Sequence, residues 1–264
     1  MKTQSFVLSA GLLATLLTLP AEASLVVTYA ESPNLVTSSL ANTQVYNFDS
    51  LSSGTHANVS WMSNDPTPVL VGSYNNLLIK SVDSYGGAVD AAYPGGSPYS
   101  VQGLNQLSST TLTLSAPSAY FGLWWSAGDA ANKMDFYSSG TLVAEFTTAN
   151  LMDHLSKSYY GNPRSRALDK NEPFGFINFF ADPGTVWDEI VFSNTSGGSG
   201  FESDNDTTRV APWTPAEGPM PGVPLERVSG HTVTLLTAIP EPSGLAITGS
   251  VLALGLSLRR RFSI

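Results

Sequence analysis

From Ser24 to Ala238, apolar residues come in short strand-like runs, and clusters of Gly, Pro, Asn and Ser separate one run from the next. That pattern constrains the fold more than any other feature. A strand leaves its backbone donors and acceptors unsatisfied, so each run has to pair with another. The runs fall at Gln44–Phe48, Leu77–Val82, Thr110–Leu114, Ala119–Trp125, Lys133–Tyr137, Thr141–Thr147, Phe174–Phe180, Glu189–Phe192 and Thr232–Leu236. Ser138-Ser139-Gly140 reads as the turn of a hairpin between two of them. One short helix is predicted over Thr148–Leu155, with a Thr or Asn as cap. Many short strands with turn signals between them predict a mainly β protein, an antiparallel jelly-roll-like β-sandwich.

The ends of the chain read as addresses. Lys2, the apolar run Phe6–Leu19 and Ala21-Glu22-Ala23 form a signal peptide with its cleavage site before Ser24. At the other end, Pro240-Glu241-Pro242 precedes 16 uncharged residues, Ser243–Leu258, and then Arg259, Arg260 and Arg261. As a transmembrane helix the uncharged run spans about 24 Å, a little short of the hydrocarbon core, and the arginines act as a cytoplasmic stop. This tail resembles the PEP-CTERM sorting signal of Gram-negative bacteria, and the resemblance implies cutting by a membrane protease, an exosortase. The plainer alternative is an ordinary C-terminal membrane anchor. The expected organisation is a signal peptide over 1–23, a β-sandwich ectodomain over 24–210 and a proline-rich loop or spacer over 211–226. A further strand and linker over 227–238 and the sorting signal over 239–264 complete it.

Of 12 basic and 21 acidic residues, four basic and two acidic ones lie in the two end segments, so the exported portion carries a net charge near −11. Such a surface repels phosphate backbones and anionic lipid, which argues against nucleic acid as a partner. Cysteine is absent, so neither disulfides nor thiolate metal sites hold the fold. The five prolines of 211–226 are expected to keep that stretch out of a central sheet.

The middle of the chain carries a second resemblance. Ala119–Asp129, Lys133–Tyr137, Thr141–Thr147, Tyr160-Gly-Asn-Pro163, Glu172–Phe180 and Gly200–Asn205 are similar, in that order, to blocks of exosortase-dependent bacterial surface proteins. The resemblance implies a secreted β-sandwich module and supplies no catalytic residues. The partners implied are the Sec export machinery, exosortase, the inner membrane before processing and exopolysaccharide afterwards. The protein would then reach the cell surface or the extracellular matrix, as a structural or adhesive component of a biofilm. A lectin-like carbohydrate-binding module is the alternative, and a secreted glycan hydrolase a second one.

Tyr120–Trp125 alternates, so Tyr120, Gly122 and Trp124 share one face and Phe121, Leu123 and Trp125 the other. One face is core. The other offers Trp124 or Trp125 as an aromatic platform for sugar rings, unless a loop buries it. Tyr159 and Tyr160, with Arg164 and Arg166 nearby, form the other candidate glycan contact. Glu202, Asp204, Asn205 and Asp206 follow a Gly/Ser-rich stretch, and an oxygen-rich loop of that kind suits structural Ca²⁺. Pairing of the first and last strands would bring Asp49 beside Asp204 and Asn205. The three histidines are widely separated, and neither a zinc-binding nor a nucleophile-elbow motif is present, so no catalytic residues are assigned. Asp135 and Glu145 lie on the two arms of the predicted hairpin, where they could face each other as a chance carboxylate pair.

Overall fold

The computed structural model describes residues 23–89, 94–165 and 167–236. Ala21, Arg166, Pro240, Glu241, Pro242, Arg259, Arg260 and Arg261 therefore lie outside the described residues, as do the apolar run of the expected signal peptide and the expected transmembrane helix. Among the described residues, no helix is long and apolar enough to cross a membrane.

Strands dominate, as the turn-punctuated sequence predicts. In chain order they are β1 (Leu25–Tyr29), β2 (Gln44–Tyr46), β3 (Gly54–Met62), β4 (Leu70–Lys80), β5 (Tyr99–Gly103), β6 (Ser109–Ser118) and β7 (Tyr120–Ser126). There follow β8 (Asn132–Ser138), β9 (Thr141–Thr147), β10 (Gly175–Ala181), β11 (Trp187–Asn194), β12 (Gly200–Arg209), β13 (Val223–Ser229) and β14 (Thr232–Leu235). One helix, α1 (Ala149–His154), sits at the expected place. The Thr148 hydroxyl does not cap it, however. That group donates to the Asp129 and Asn132 carbonyls and ties α1 to the turn before β8.

The strands join in the order β14-β13-β1-β10-β7-β12-β5-β4-β6-β11-β8-β9, every pairing antiparallel, with β2 added on β12 and β3 on β4. The two ends of this order meet. Gly230, in the β13–β14 turn, donates to the Val143 carbonyl (2.7 Å) and accepts from Glu145 N (2.7 Å), so the sheet is nearly closed. Closure leaves few strand edges exposed to pair with other chains. Inside lies one aromatic-rich core. Phe179 packs on Phe136 (centroids 4.9 Å apart) and Phe146 (5.0 Å), and Phe136 on Trp187 (5.0 Å).

Two local expectations meet different fates. The β8–β9 turn has Ser139 at φ 48° and Gly140 at φ 77°, the two left-handed positions of a tight two-residue hairpin. The proline-rich stretch, by contrast, is not wholly outside the sheet. It contains a 3₁₀ turn at Pro215–Glu217, closed by a Thr214/Glu217 capping box, and its last residues begin β13. Pro224 is tolerated because it pairs with Thr28 beside a register shift, ahead of Glu226, where the β14 pairing starts. The strand expected only from Thr232 is the second arm of this hairpin.

Candidate functional site

The alternation read in β7 is correct, but both of its faces are covered. Phe121, Leu123 and Trp125 lie in the main core, whereas Trp124 packs with Ala30, Ala88, Phe174 and Phe176 in a separate cluster on the other face. Trp124 and Trp125 are both 0 % exposed. Trp125 Nε1 donates to Asn132 Oδ1 (2.7 Å), and a Cβ on Gly128 would collide with its ring. The aromatic platform is thereby corrected to core. The segment that follows β1 supplies Ala30, and Val36 beside it, as part of the cover over the face that sequence left open.

Tyr159 is buried as well. Its hydroxyl donates to the Ala30 carbonyl (2.7 Å) and its ring meets Tyr29 edge-on at 5.6 Å. Tyr160 is half-buried, donates to the Met152 carbonyl (2.8 Å) and lines an open depression of about 670 Å³ with Lys157, Ser158, Lys170 and Asn171. Tyr160 thus borders a surface cavity, whereas Tyr159 is packed into the fold.

The acidic stretch is not a loop. Residues Gly200–Arg209 form β12, paired with β7, β5 and β2 and buried throughout. Asp204 accepts from Ala88 N (3.2 Å), Asn205 N (2.7 Å) and the Ser97 hydroxyl, and Asn205 Nδ2 donates to the Val36 carbonyl (2.9 Å). Pairing of β2 with β12 does bring Asp49 within electrostatic reach of Asp204. Asp204 and Asn205 are committed to protein partners within β12, and Asp49 lies in the turn after β2 against Asn47, so the stretch is not the oxygen-rich loop expected for Ca²⁺. Among the described residues no three His, Asp or Glu groups are arranged to hold a metal ion. The Asp135–Glu145 pair does face across β8 and β9, and Lys133 bridges it, with its ammonium 3.2 Å and 2.7 Å from the two carboxylates.

A different group of carboxylates meets in a cleft. The start of β12, the turn after β7, the loop before β12 and the segment before β10 enclose about 630 Å³, lined by Asp129, Glu172, Glu202, Lys80, Tyr85 and Ser199 among others. Asp129 is fixed in the turn after β7: one carboxylate oxygen accepts from Ala131 N (2.6 Å) and the other from Asn194 Nδ2 (3.2 Å). Asn132 and Asn194 each donate to the Gly200 carbonyl (2.9 and 3.0 Å), which locks the start of β12 against that turn. Glu202 is 5 % exposed, and its Oε2 has no hydrogen-bond partner; Glu172 Oε2 is likewise buried without one. Gly200 is what lets Glu202 lie where it does, since a Cβ there would collide with Glu202 Oε1 and stand 3.0 Å from Val101.

Burial pushes the Glu202 carboxyl up to about 8; the negative charges of Asp129 and Glu172 add to the rise and Lys80 opposes it. Glu172 is also raised, first by burial and then by Asp169 and Asp129. Glu202 therefore holds a proton at neutral pH beside an acidic neighbourhood, in a cleft with one half-exposed aromatic ring, Tyr85 (48 %). Lys80, the cleft's cation, is paired with Asp83 at 3.6 Å. Nothing local in the sequence marks this trio. Asp129, Glu172 and Glu202 come from three segments that only the β10–β7–β12 pairings bring together.

No family model matches the chain, and no curated protein matches it. Among solved structures it is similar to the catalytic domain of an α-1,3-glucanase of glycoside hydrolase family 87, a variant in complex with tetrasaccharides. The identity is 15 % and the TM-score 0.34, over 71 % of this chain and 30 % of that one, so the chain spans under a third of that protein's length.

Proposed function

We propose that this is an exported, exosortase-processed protein of the cell surface or extracellular matrix, with a structural or adhesive role rather than a catalytic one. We read the nearly closed sheet as a flattened, jelly-roll-like sandwich. The observation that carries the proposal is the position of the fold between the two address segments. β1 begins at Leu25, two residues after Ala23, and Ser24 is already built in, its N–H donating to Thr185 Oγ1 (3.1 Å). A chain cut before Ser24 keeps every described strand, and the last of these ends at Leu235, ahead of the Pro240-Glu241-Pro242 box.

On this reading the tail holds the newly exported protein in the inner membrane until exosortase cuts near Pro240–Pro242. The released acidic domain is then retained by contacts to polysaccharide. The acidic cleft supports the lectin-like variant of the same reading, because it joins an aromatic ring to several hydrogen-bonding groups in a volume that fits a small saccharide. The test is cell fractionation of a deletion of residues 240–264 beside the intact chain. The deletion is expected to abolish membrane retention and the processed form; identical distribution and size of the two would overturn the proposal.

A further inference from the structure

Most described cations of this acidic protein are already committed. Lys80 pairs with Asp83 (3.6 Å), Lys133 with Asp135 and Glu145, Arg209 with Glu217 (2.7 Å) and Arg227 with Asp182. Arg164 donates to the Gly95 and Asp83 carbonyls. Lys157 and Lys170 differ: both are exposed, neither forms an ion pair among the described residues, and both border the open depression beside Tyr160. Backbone bonds tie their two segments together. Gly161 N donates to the Glu172 carbonyl (3.0 Å) and Phe174 N to the Tyr159 carbonyl (2.8 Å). The bond from the Tyr160 hydroxyl to the Met152 carbonyl (2.8 Å) fixes the ring at the same place. Nearby carboxylates leave the two lysines unclaimed. Asp169 has Asp83 as its electrostatic neighbour, Glu172 has Asp169 and Asp129, and Asp153 acts on the Tyr160 hydroxyl.

We propose that this depression binds an acidic polysaccharide, with uronate carboxylates of one chain pairing with the Lys157 and Lys170 ammonium groups and a sugar ring against Tyr160. The inference rests on the matrix reading above and names the class of polysaccharide retained. An unpaired ammonium on a flexible stem presents three N–H donors, and a carboxylate accepts them in charge-assisted bonds. Each lysine takes its own carboxylate, so the two ammonium groups need not meet at one point. A polyuronate, with an acid group on every sugar, supplies both. Tyr160 favours a saccharide over an acidic peptide, since the apolar face of a pyranose ring packs on an aromatic one. Ser158 and Asn171 add a hydroxyl and an amide for the sugar hydroxyls. A depression of about 670 Å³ that is open to solvent suits an inner stretch of a long chain. At physiological ionic strength, charges more than about 8 Å away are largely screened, so the two lysines in contact outweigh the acidic remainder of the surface.

The test is calorimetric titration of the protein, at neutral pH and physiological ionic strength, with hexamers of galacturonate and of mannuronate. A fully methyl-esterified galacturonate hexamer and a glutamate hexapeptide are the controls, the first without the charge and the second without the sugar. The expected result is saturable binding of at least one uronate hexamer, at least about tenfold tighter than either control. Lys157→Gln and Lys170→Gln should each weaken it by about fivefold, and the double variant should abolish it. Arg227→Gln removes the same charge away from the depression and should leave affinity unchanged. Both lysines are exposed, so their variants keep the folded near-UV signal; the comparison of probes on the unaltered protein tests the proposal even if one does not. No binding of either uronate hexamer, equal binding of the ester or of the glutamate peptide, full affinity in the double variant, or an equal loss in Arg227→Gln would each overturn it. Failure here leaves tail-dependent processing untouched, whereas identical fractionation of the tail deletion would sink the matrix reading and leave this titration standing.

Discussion

Single residues in β7 show how a correct periodicity can still mislead about function. The alternation of Tyr120–Trp125 was readable, and it assigns the two faces as the structure has them. What no residue in the run reveals is that Ala30, Val36 and Phe174, distant in sequence, cover the second face. Trp124→Ala and Trp125→Ala are therefore expected to act on stability, each costing about 3–5 kcal/mol in urea unfolding, as large-to-small changes in a packed core do. A loss below about 1 kcal/mol for either would mean that the ring is not core. Gly200→Ala tests the cleft at the same scale. The added methyl should displace Glu202 and cost roughly 1–3 kcal/mol, as over-packing does. Combined with Glu202→Gln, the two effects should fall short of additive, because both act on one side-chain position. Additive losses would separate Gly200 from Glu202. The carboxylate trio was hidden for the same reason as the cover on β7: its members were visible one by one, and their meeting was not.

Among the elements, β12 departs furthest from its sequence. Gly-Phe-Glu-Ser-Asp-Asn-Asp has the composition of a solvated loop, yet it runs through the sheet between β7 and β5. Strand propensity fails here because Asp204, Asn205 and Asp206 find hydrogen-bond partners, Glu202 borders a cleft, and a bulge redirects them. The register shifts between Asp204 and Thr207, and Asn205 takes a left-handed φ of 51°. Before the bulge Phe201 joins the main core. After it, Asp206 meets the main-core residue Tyr74, whose hydroxyl donates to it at 2.9 Å. Asn is among the few non-glycine residues that accept this φ cheaply, and a β-branched one does not. Asn205→Val is thus expected to destabilise by about 1–3 kcal/mol, and Asn205→Gly by clearly less, in thermal or urea unfolding. A valine as benign as glycine would remove the bulge from the explanation. Strands with ordinary apolar content, such as β8, β9 and β10, were legible to within a residue or two. The β13–β14 hairpin was half legible, because Pro224 looks like a breaker until its place beside a register shift is known.

For the molecule as a whole, the carboxylates of β12 set how stability depends on pH. Burial holds Glu202 and Asp204 at about 8 and Asp206 at about 7, the last against the hydrogen bond from Tyr74. In the unfolded chain the same groups lose their protons near pH 4. Between these limits the folded state binds more protons than the unfolded one, so stability is full below about pH 4 for these three groups and falls as pH rises through 7 and 8. Glu145 and Glu217 act in the opposite sense. Hydrogen bonds from Lys133 lower the first and those from Arg209 bring the second to about 2, so their contribution is present above about pH 4.5 and fades as pH drops toward their folded values. The two trends place the maximum near pH 4 to 4.5, where the unfolded carboxylates titrate. From there to about pH 8.5 stability, and with it Tm, is expected to fall. Asp206→Asn should flatten the slope, since an amide keeps a hydrogen bond with Tyr74 and has no proton to lose. Thermal melts of the protein at half-unit steps of pH would settle the matter. A Tm that stays level or climbs up to about pH 8.5 would mean that β12 holds its carboxylates ionised without cost.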